Sequence, residues 1–336
     1  MVQIKRLLRK NPVSSAILFL WILGGIISFF FSEKSQIIDL ENSLLRPGLA
    51  DHWLGTDDLG RDVAAGILNG SRYAWLIGSC VCILAGFGGL ILGAGIAFIE
   101  RFQHRITIFS ASFWLFLIWV GFIIYVKAVT LSFWEKIGIW AGFFIGGITL
   151  FSLKKRYHPS INFLRKEIHF PVNQIFNFFL SLYGAIPALV IALLLSAMIP
   201  TGVISVIGIL TLVAWVPFAR ISYFTTLHQL NLPYSEVVQV LGIPNYRFFL
   251  VHLLPKIYLQ LLTPLIQIFV FSILTEAAIS FLGFGLASET VTWGSMLSLA
   301  RDTPSAWWLA VFPAAALISF AAPVLHIAEY FNAEPE

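Results

Sequence analysis

Charge is scarce in this chain. Of 336 residues only 11% are Asp, Glu, Lys or Arg, against 58% hydrophobic, and the mean hydropathy is +0.87. A soluble domain carries about 25% charged residues, so this composition cannot supply a water-facing surface and points to an all-α polytopic membrane protein. Cysteine is scarcer still. Cys80 and Cys82 lie two apart in an apolar run, which puts them on different faces of a helix and favours small packing residues over a disulfide or a metal pair. No Gly-x-x-x-x-Gly-Lys-Ser/Thr phosphate loop, His-Glu-x-x-His zinc site or Gly-x-Ser-x-Gly nucleophile elbow occurs. The chain is therefore not expected to be an enzyme. Active transport through it would draw on a partner or an ion gradient.

What is present is a series of apolar runs. Residues 13–31 form a first span, with no cleavage site after it; Lys5, Arg6, Arg9 and Lys10 before it place the N-terminal tail in the cytoplasm. An extracytoplasmic loop is expected over 32–73, where acidic residues outnumber basic ones, and a Gly-rich second span over 74–99. Residues 106–128 and 137–153 read as an aromatic-rich transmembrane hairpin within 100–171, followed by a basic cytoplasmic flank at Lys154, Lys155, Arg156, Arg165 and Lys166. From 172 to 329 come spans near 175–199, kinked by Pro187, then 205–220, 259–284 and 307–329, before a short tail at 330–336. That gives eight spans with both termini cytoplasmic. The partner this composition demands throughout is the lipid bilayer.

Between the spans ending at Arg220 and beginning at Leu259 lies a polar-punctuated interval inside the cytoplasmic segment 222–258. Pro233 can open a short helix, Glu236 favours its dipole in the first turn, and Gly242 can take the left-handed conformation that stops it. Pro244 then starts a second helix, expected to end at Pro255. His252 has no second His or carboxylate on its local face and reads as a structural hydrogen-bonding residue.

Two further groups carry chemistry. Asp57, Asp58, Arg61 and Asp62 are close enough to pair or to cap a helix beginning near Leu59, and they lack the spacing of a calcium loop. Glu276 is the one carboxylate well inside an expected span, hence a candidate functional residue. It could line a substrate path, together with Trp293, or pair with Arg61 or Arg301.

The interval around Glu236 resembles the cytoplasmic loop of ABC importer membrane subunits: Glu-Ala-Ala, three residues, Gly, nine residues, an apolar or His position, one residue, Leu-Pro. Glu236, Gly242, His252, Leu254 and Pro255 fall at those spacings, while Val237 and Val238 replace the alanines. Leu54–Asp62, containing Gly55, Thr56, Asp57, Gly60, Arg61 and Asp62, is similar to the signature that precedes the second core span in the C-type subunit of dipeptide, oligopeptide and nickel permeases. Thr275–Gly285 and Thr292–Leu297 are similar to that branch's fifth core span and outer loop. The matches cover about residues 1–99 and 172–325, in order. Residues 106–153 and the ending Pro323-Val-Leu-His-Ile-Ala-Glu-Tyr depart from the usual pattern.

The resemblance implies a type I ABC importer transmembrane fold, six core spans plus an inserted two-span hairpin, in a bacterial cytoplasmic (inner) membrane. It implies a permease subunit for peptides whose Glu236–Pro255 loop is a coupling helix docked on an ATPase, with ATP and Mg held by that partner and no cofactor in this chain. The other implied partners are a second, homologous permease subunit and an extracytoplasmic solute-binding protein. Three other readings stand beside it. An ion-coupled secondary transporter would want intramembrane carboxylates in two repeats, and only Glu276 is available. A permease for a non-peptide solute such as a nickel chelate differs in substrate alone. A DNA-binding helix-turn-helix around Gly242 is disfavoured because Arg247 and Lys256 are too few for a phosphate footprint, so no nucleic acid is expected.

Overall fold

A computed structural model describes residues 12–31, 37–101, 106–107, 167–168, 172–286 and 290–332. The N-terminal tail, most of the expected hairpin, its basic flank and residues 333–336 lie outside the described residues. The chain divides into two units, 1–101 with 173–336, and 102–172. In the second unit Ile106–Thr107 (β1) pairs antiparallel with Glu167–Ile168 (β2). The segment expected to enter a membrane helix at residue 106 thus begins with a short strand.

The first unit is helical: α1 (Pro12–Phe31), α2 (Val63–Arg101), α3 (Val172–Gly184), α4 (Ala188–Met198), α5 (Val203–Leu230), α6 (Pro233–Val240), α7 (Asn245–Phe281), α8 (Trp293–Asp302) and α9 (Trp308–Asn332). Among the described residues α2, α5, α7 and α9 are each long and apolar enough to cross a membrane. The pair α3 and α4 makes a fifth crossing if its two limbs, bent by 79°, count as one. The bend falls where Pro187 denies the helix a donor, as the sequence suggests. α1 is apolar but shorter than those.

α2 is the centre of the bundle. Its 39 residues begin at Val63, eleven before the expected span and four after the expected start at Leu59; residues 63–73, assigned to a loop, are helix. The polar residues Asn69, Ser71 and Arg72 hid this extension, yet Asn69 and Ser71 are buried, Asn69 Nδ2 donating to the Val291 carbonyl at 3.1 Å and Ser71 Oγ to Leu68 at 2.6 Å. A row of small residues, Ala85, Gly89, Gly93 and Ala97, recurs every fourth position and is buried against α5. Lipid offers no hydrophobic drive for helix association, so backbone approach and dispersion must supply it. At Gly93 an added Cβ would stand 2.2 Å from the Ala219 carbonyl oxygen. On its other sides α2 meets α1 and α7 around an aromatic cluster of Trp21, Trp75, Phe269, Trp293 and Phe320, with ring centroids 5.2–6.1 Å apart.

One expectation fails at Pro255. The second short helix does not end there; it runs unbroken into the span as α7, through a π-helical turn at Phe248–Leu253. A mid-helix proline lacks an N–H and clashes with the carbonyl four residues back, and widening the preceding turn relieves both.

Candidate functional site

The candidate residues gather at the two ends of α2. At its C-terminal end, α5 ends at Leu230 and the chain turns into α6, a helix of eight residues held back against α5 by the Ser235 hydroxyl, which donates to the Leu230 carbonyl at 2.5 Å. Gly242 takes φ +68° and stops α6 as expected. Val238 is buried, whereas Val237, Val240 and Leu241 are 57, 87 and 69% exposed. These three stand at i, i+3 and i+4 and so make one apolar stripe facing away from the bundle. The Glu236 carboxylate lies 3.5 Å from the Arg101 guanidinium, the last residue of α2. Lys256 Nζ sits 3.1 Å over the Tyr234 ring, whose hydroxyl is buried with no hydrogen-bond partner among the described residues, and burial pushes that hydroxyl above its ordinary pKa.

His252, Leu254 and Pro255 lie on α7 rather than on α6. His252 is half-buried with its ring 6.5 Å from Phe248, and Pro255 is exposed. Tyr246 on the same arm is 71% exposed. Val240, Leu241 and Tyr246 were not picked out by motif spacing. Helical periodicity from Val237 would have found the first two.

The N-terminal end of α2 carries a tightly tied loop. Asp57 is 4% exposed; its Oδ1 accepts from Leu59 N at 3.0 Å and Arg61 N at 2.8 Å, and its Oδ2 from Arg61 Nε at 2.6 Å. Asp62 Oδ1 accepts from Ala65 N at 2.8 Å, capping α2, and its other oxygen lies 2.6 Å from His52 Nδ1. Thr56 Oγ1 donates to the Asn42 carbonyl at 2.6 Å and accepts from Leu45 N at 2.8 Å, while Trp308 Nε1 donates to the Thr56 carbonyl at 3.0 Å. Gly60 has φ +74° with the Asp39 carbonyl against it, and Gly55 has φ +81°, both beyond the reach of a side-chain-bearing residue without strain. The acidic group is thus a structural pair and a cap. Among the described residues no cluster of three or more His, Cys, Asp or Glu could hold a metal ion.

Glu276 is buried in α7. It accepts from Ser280 Oγ at 2.7 Å and meets the Thr292 side chain, the residue that caps α8. Among the described residues it forms no ion pair: Arg61 is engaged by Asp57 and Arg301 by Asp302. Trp293 is 2% exposed, donates to the Ile67 carbonyl at 2.9 Å and abuts Gly70. It sits in the core of the described residues.

The sequence is similar to those of known proteins. The family described as "Binding-protein-dependent transport system inner membrane component" matches residues 165–334. A Brucella suis protein with the provisional name of a peptide transport system permease is 24% identical over 318 residues, covering 93% of this chain and 83% of its own length. The oligopeptide transport system permease protein OppC of Bacillus subtilis is 25% identical, with 91% and 79% covered. A peptidoglycan transport system permease of Agrobacterium fabrum reaches 32% over a shorter stretch, 39% and 34%.

Proposed function

The chain belongs to the binding-protein-dependent transport system inner membrane components, and on that premise we propose that it forms half of the translocation pathway of an ATP-driven peptide importer. α6 is the coupling helix. The observation that carries this reading is the exposed stripe of Val237, Val240 and Leu241 on a short helix beyond the spans: an apolar face in water needs a partner to cover it. The partner is an ATP-binding subunit, which supplies ATP and Mg and does the hydrolysis. A second, homologous permease completes the path, and a solute-binding protein delivers substrate at the opposite face. The naming of relatives as peptide permeases supports the substrate class.

In this reading the Arg101 end of α2 is cytoplasmic and the loop at 37–62 is extracytoplasmic, covering the outer mouth. Six core spans comprise α1, α2, the bent pair α3 and α4, α5, α7 and α9. ATP closes the nucleotide-binding subunits by binding the closed state more tightly, and α6 is carried with them. Glu236 hands part of that displacement to α2 through Arg101, and α7 receives it directly from the turn at Gly242.

The test is co-purification of ATPase activity with the tagged chain. Val240→Asp with Leu241→Asp abolishes association while leaving the chain inserted in the membrane. Undiminished association and peptide-stimulated hydrolysis in that double variant would sink the docking role.

A further inference from the structure

The direction in which Arg220 points exposes a feature of the membrane-embedded region that its place in the chain conceals. Glu100 accepts hydrogen bonds from Asn173 Nδ2 on α3, at 2.9 Å, and from the Tyr223 hydroxyl on α5, which sets these three residues at one level near the Arg101 end of the bundle. Arg220 leaves α5 one turn before Tyr223, and its Nη2 donates to Ser181 Oγ at 3.0 Å. Ser181 is eight residues beyond Asn173, roughly 12 Å along α3 from the Glu100 level. The guanidinium therefore reaches away from the nearest interface and into the depth of the bilayer. A lipid-facing arginine does the opposite, extending toward the headgroups. Arg220 is nevertheless exposed, and among the described residues no carboxylate pairs with it. Arg220 is thus an exposed cation whose side chain turns inward along the bundle rather than toward its nearer end.

Neighbouring residues extend this exposed surface. Pro217 and Ile221 on α5, Ala188 on α4, and Pro264 and Gln267 on α7 line one cleft. Gln267 is exposed at the middle of the apolar stretch Leu254–Phe281, an unfavourable place for an amide unless it meets water or a ligand. The two prolines deprive the carbonyls of Val213 and Gln260 of their helical donors. The surface thus offers one fixed cation and one amide.

We propose that Arg220 is the anion-recognising residue of the translocation path and takes the carboxylate of a peptide in transit, with Gln267 in the cleft beside Ile221 for the peptide's amide groups. The guanidinium fork matches a carboxylate bidentately, and Ser181 holds it in place. This deepens the importer reading and rests on it.

The test uses proteoliposomes holding the complete transporter with unchanged partners, and reads uptake of one labelled peptide as free acid and as C-terminal amide. Arg220→Gln lowers uptake of the free acid about tenfold and changes that of the amide less than twofold, whereas Arg220→Lys keeps free-acid uptake within about threefold of the original. In parallel, Arg220→Cys is modified by a membrane-impermeant thiol reagent, and free-acid peptide slows the modification. Free-acid uptake within twofold of the original in Arg220→Gln, an equal fall for both peptide forms, or no modification at position 220 each overturns the assignment. Failure of the unaltered transporter to import either peptide form, with the vesicles shown to hydrolyse ATP, overturns the peptide reading itself.

Discussion

Gly93→Ala isolates the contact on which the bundle is centred. The new Cβ would lie 2.2 Å from the Ala219 carbonyl oxygen, 2.9 Å from Tyr223 N and 3.0 Å from Ser222 Cβ. An ordinary carbon–oxygen approach is about 3.3 Å, so α2 and α5 must part by about 1 Å at this point. Two of the three obstructing atoms are backbone and cannot swing aside. The separation also loosens Ala85, Gly89 and Ala97, which are buried on the same row. Overpacking of this kind costs about 1–3 kcal/mol, and immovable partners put this site at about 3 kcal/mol. Gly95, two residues on, has nothing within 4 Å of an added Cβ, and Gly95→Ala gains up to ~1 kcal/mol from helix propensity. The two alanines should therefore differ by about 4 kcal/mol in reversible unfolding by SDS in mixed micelles. Equal stabilities would refute the claim that backbone contact between α2 and α5 holds the bundle.

Asp57→Asn leaves the buried Arg61 guanidinium without its counter-charge, a loss of about 3–5 kcal/mol in the loop; hydrogen exchange of the Leu59 and Arg61 amides should accelerate at least a hundredfold, and unchanged protection would contradict the pairing. Glu236→Gln removes only an exposed ion pair at 3.5 Å and should shift stability by less than about 1 kcal/mol, so a larger effect in the SDS titration would mean the contact is more than a surface bridge. Tyr234→Phe deletes a buried hydroxyl that has no hydrogen-bond partner among the described residues while keeping the ring under Lys256, and should be neutral or stabilising. The folded-state pKa of that hydroxyl is raised, so its contribution is fully present below the ordinary tyrosine value of 10 and is lost as pH rises through the folded value; the phenylalanine variant should lack this alkaline loss in a pH series of melting curves.

How much of this was legible in sequence depended on whether the signal was local. Gly242 is a case where one residue type answers one conformational need, and its φ is positive as expected. Pro187 marked a break for the same reason. The Asp57 to Asp62 group announced pairing and capping through spacing alone. Pro255 misled because a proline reads as a stop only where the preceding turn cannot widen, and the π-helical turn at Phe248–Leu253 is a property of the whole α7 environment. The early start of α2 was hidden by Asn69 and Ser71, polar residues whose partners lie on Val291 and one turn back on the helix itself. The burial of Trp293 was not legible because the residues it meets, Trp21, Ile67 and Phe320, all lie far from it along the chain.

Arg220 shows why such a reading can place a residue correctly in the chain and still miss where its side chain goes. A hydropathy count ends a span at the first charge, which made Arg220 a boundary marker, although α5 continues ten residues further to Leu230. The level of a side chain in the membrane is set by its partners on other helices, here Ser181, and by the partners of its neighbours, here Glu100 with Asn173 and Tyr223. Position along one helix carries only the Cα. An arginine side chain can then reach either interface or interior, and the choice is decided by whether the adjoining surface is wet. A charge that turns inward while exposed thus reports on a surface that composition describes as uniformly apolar.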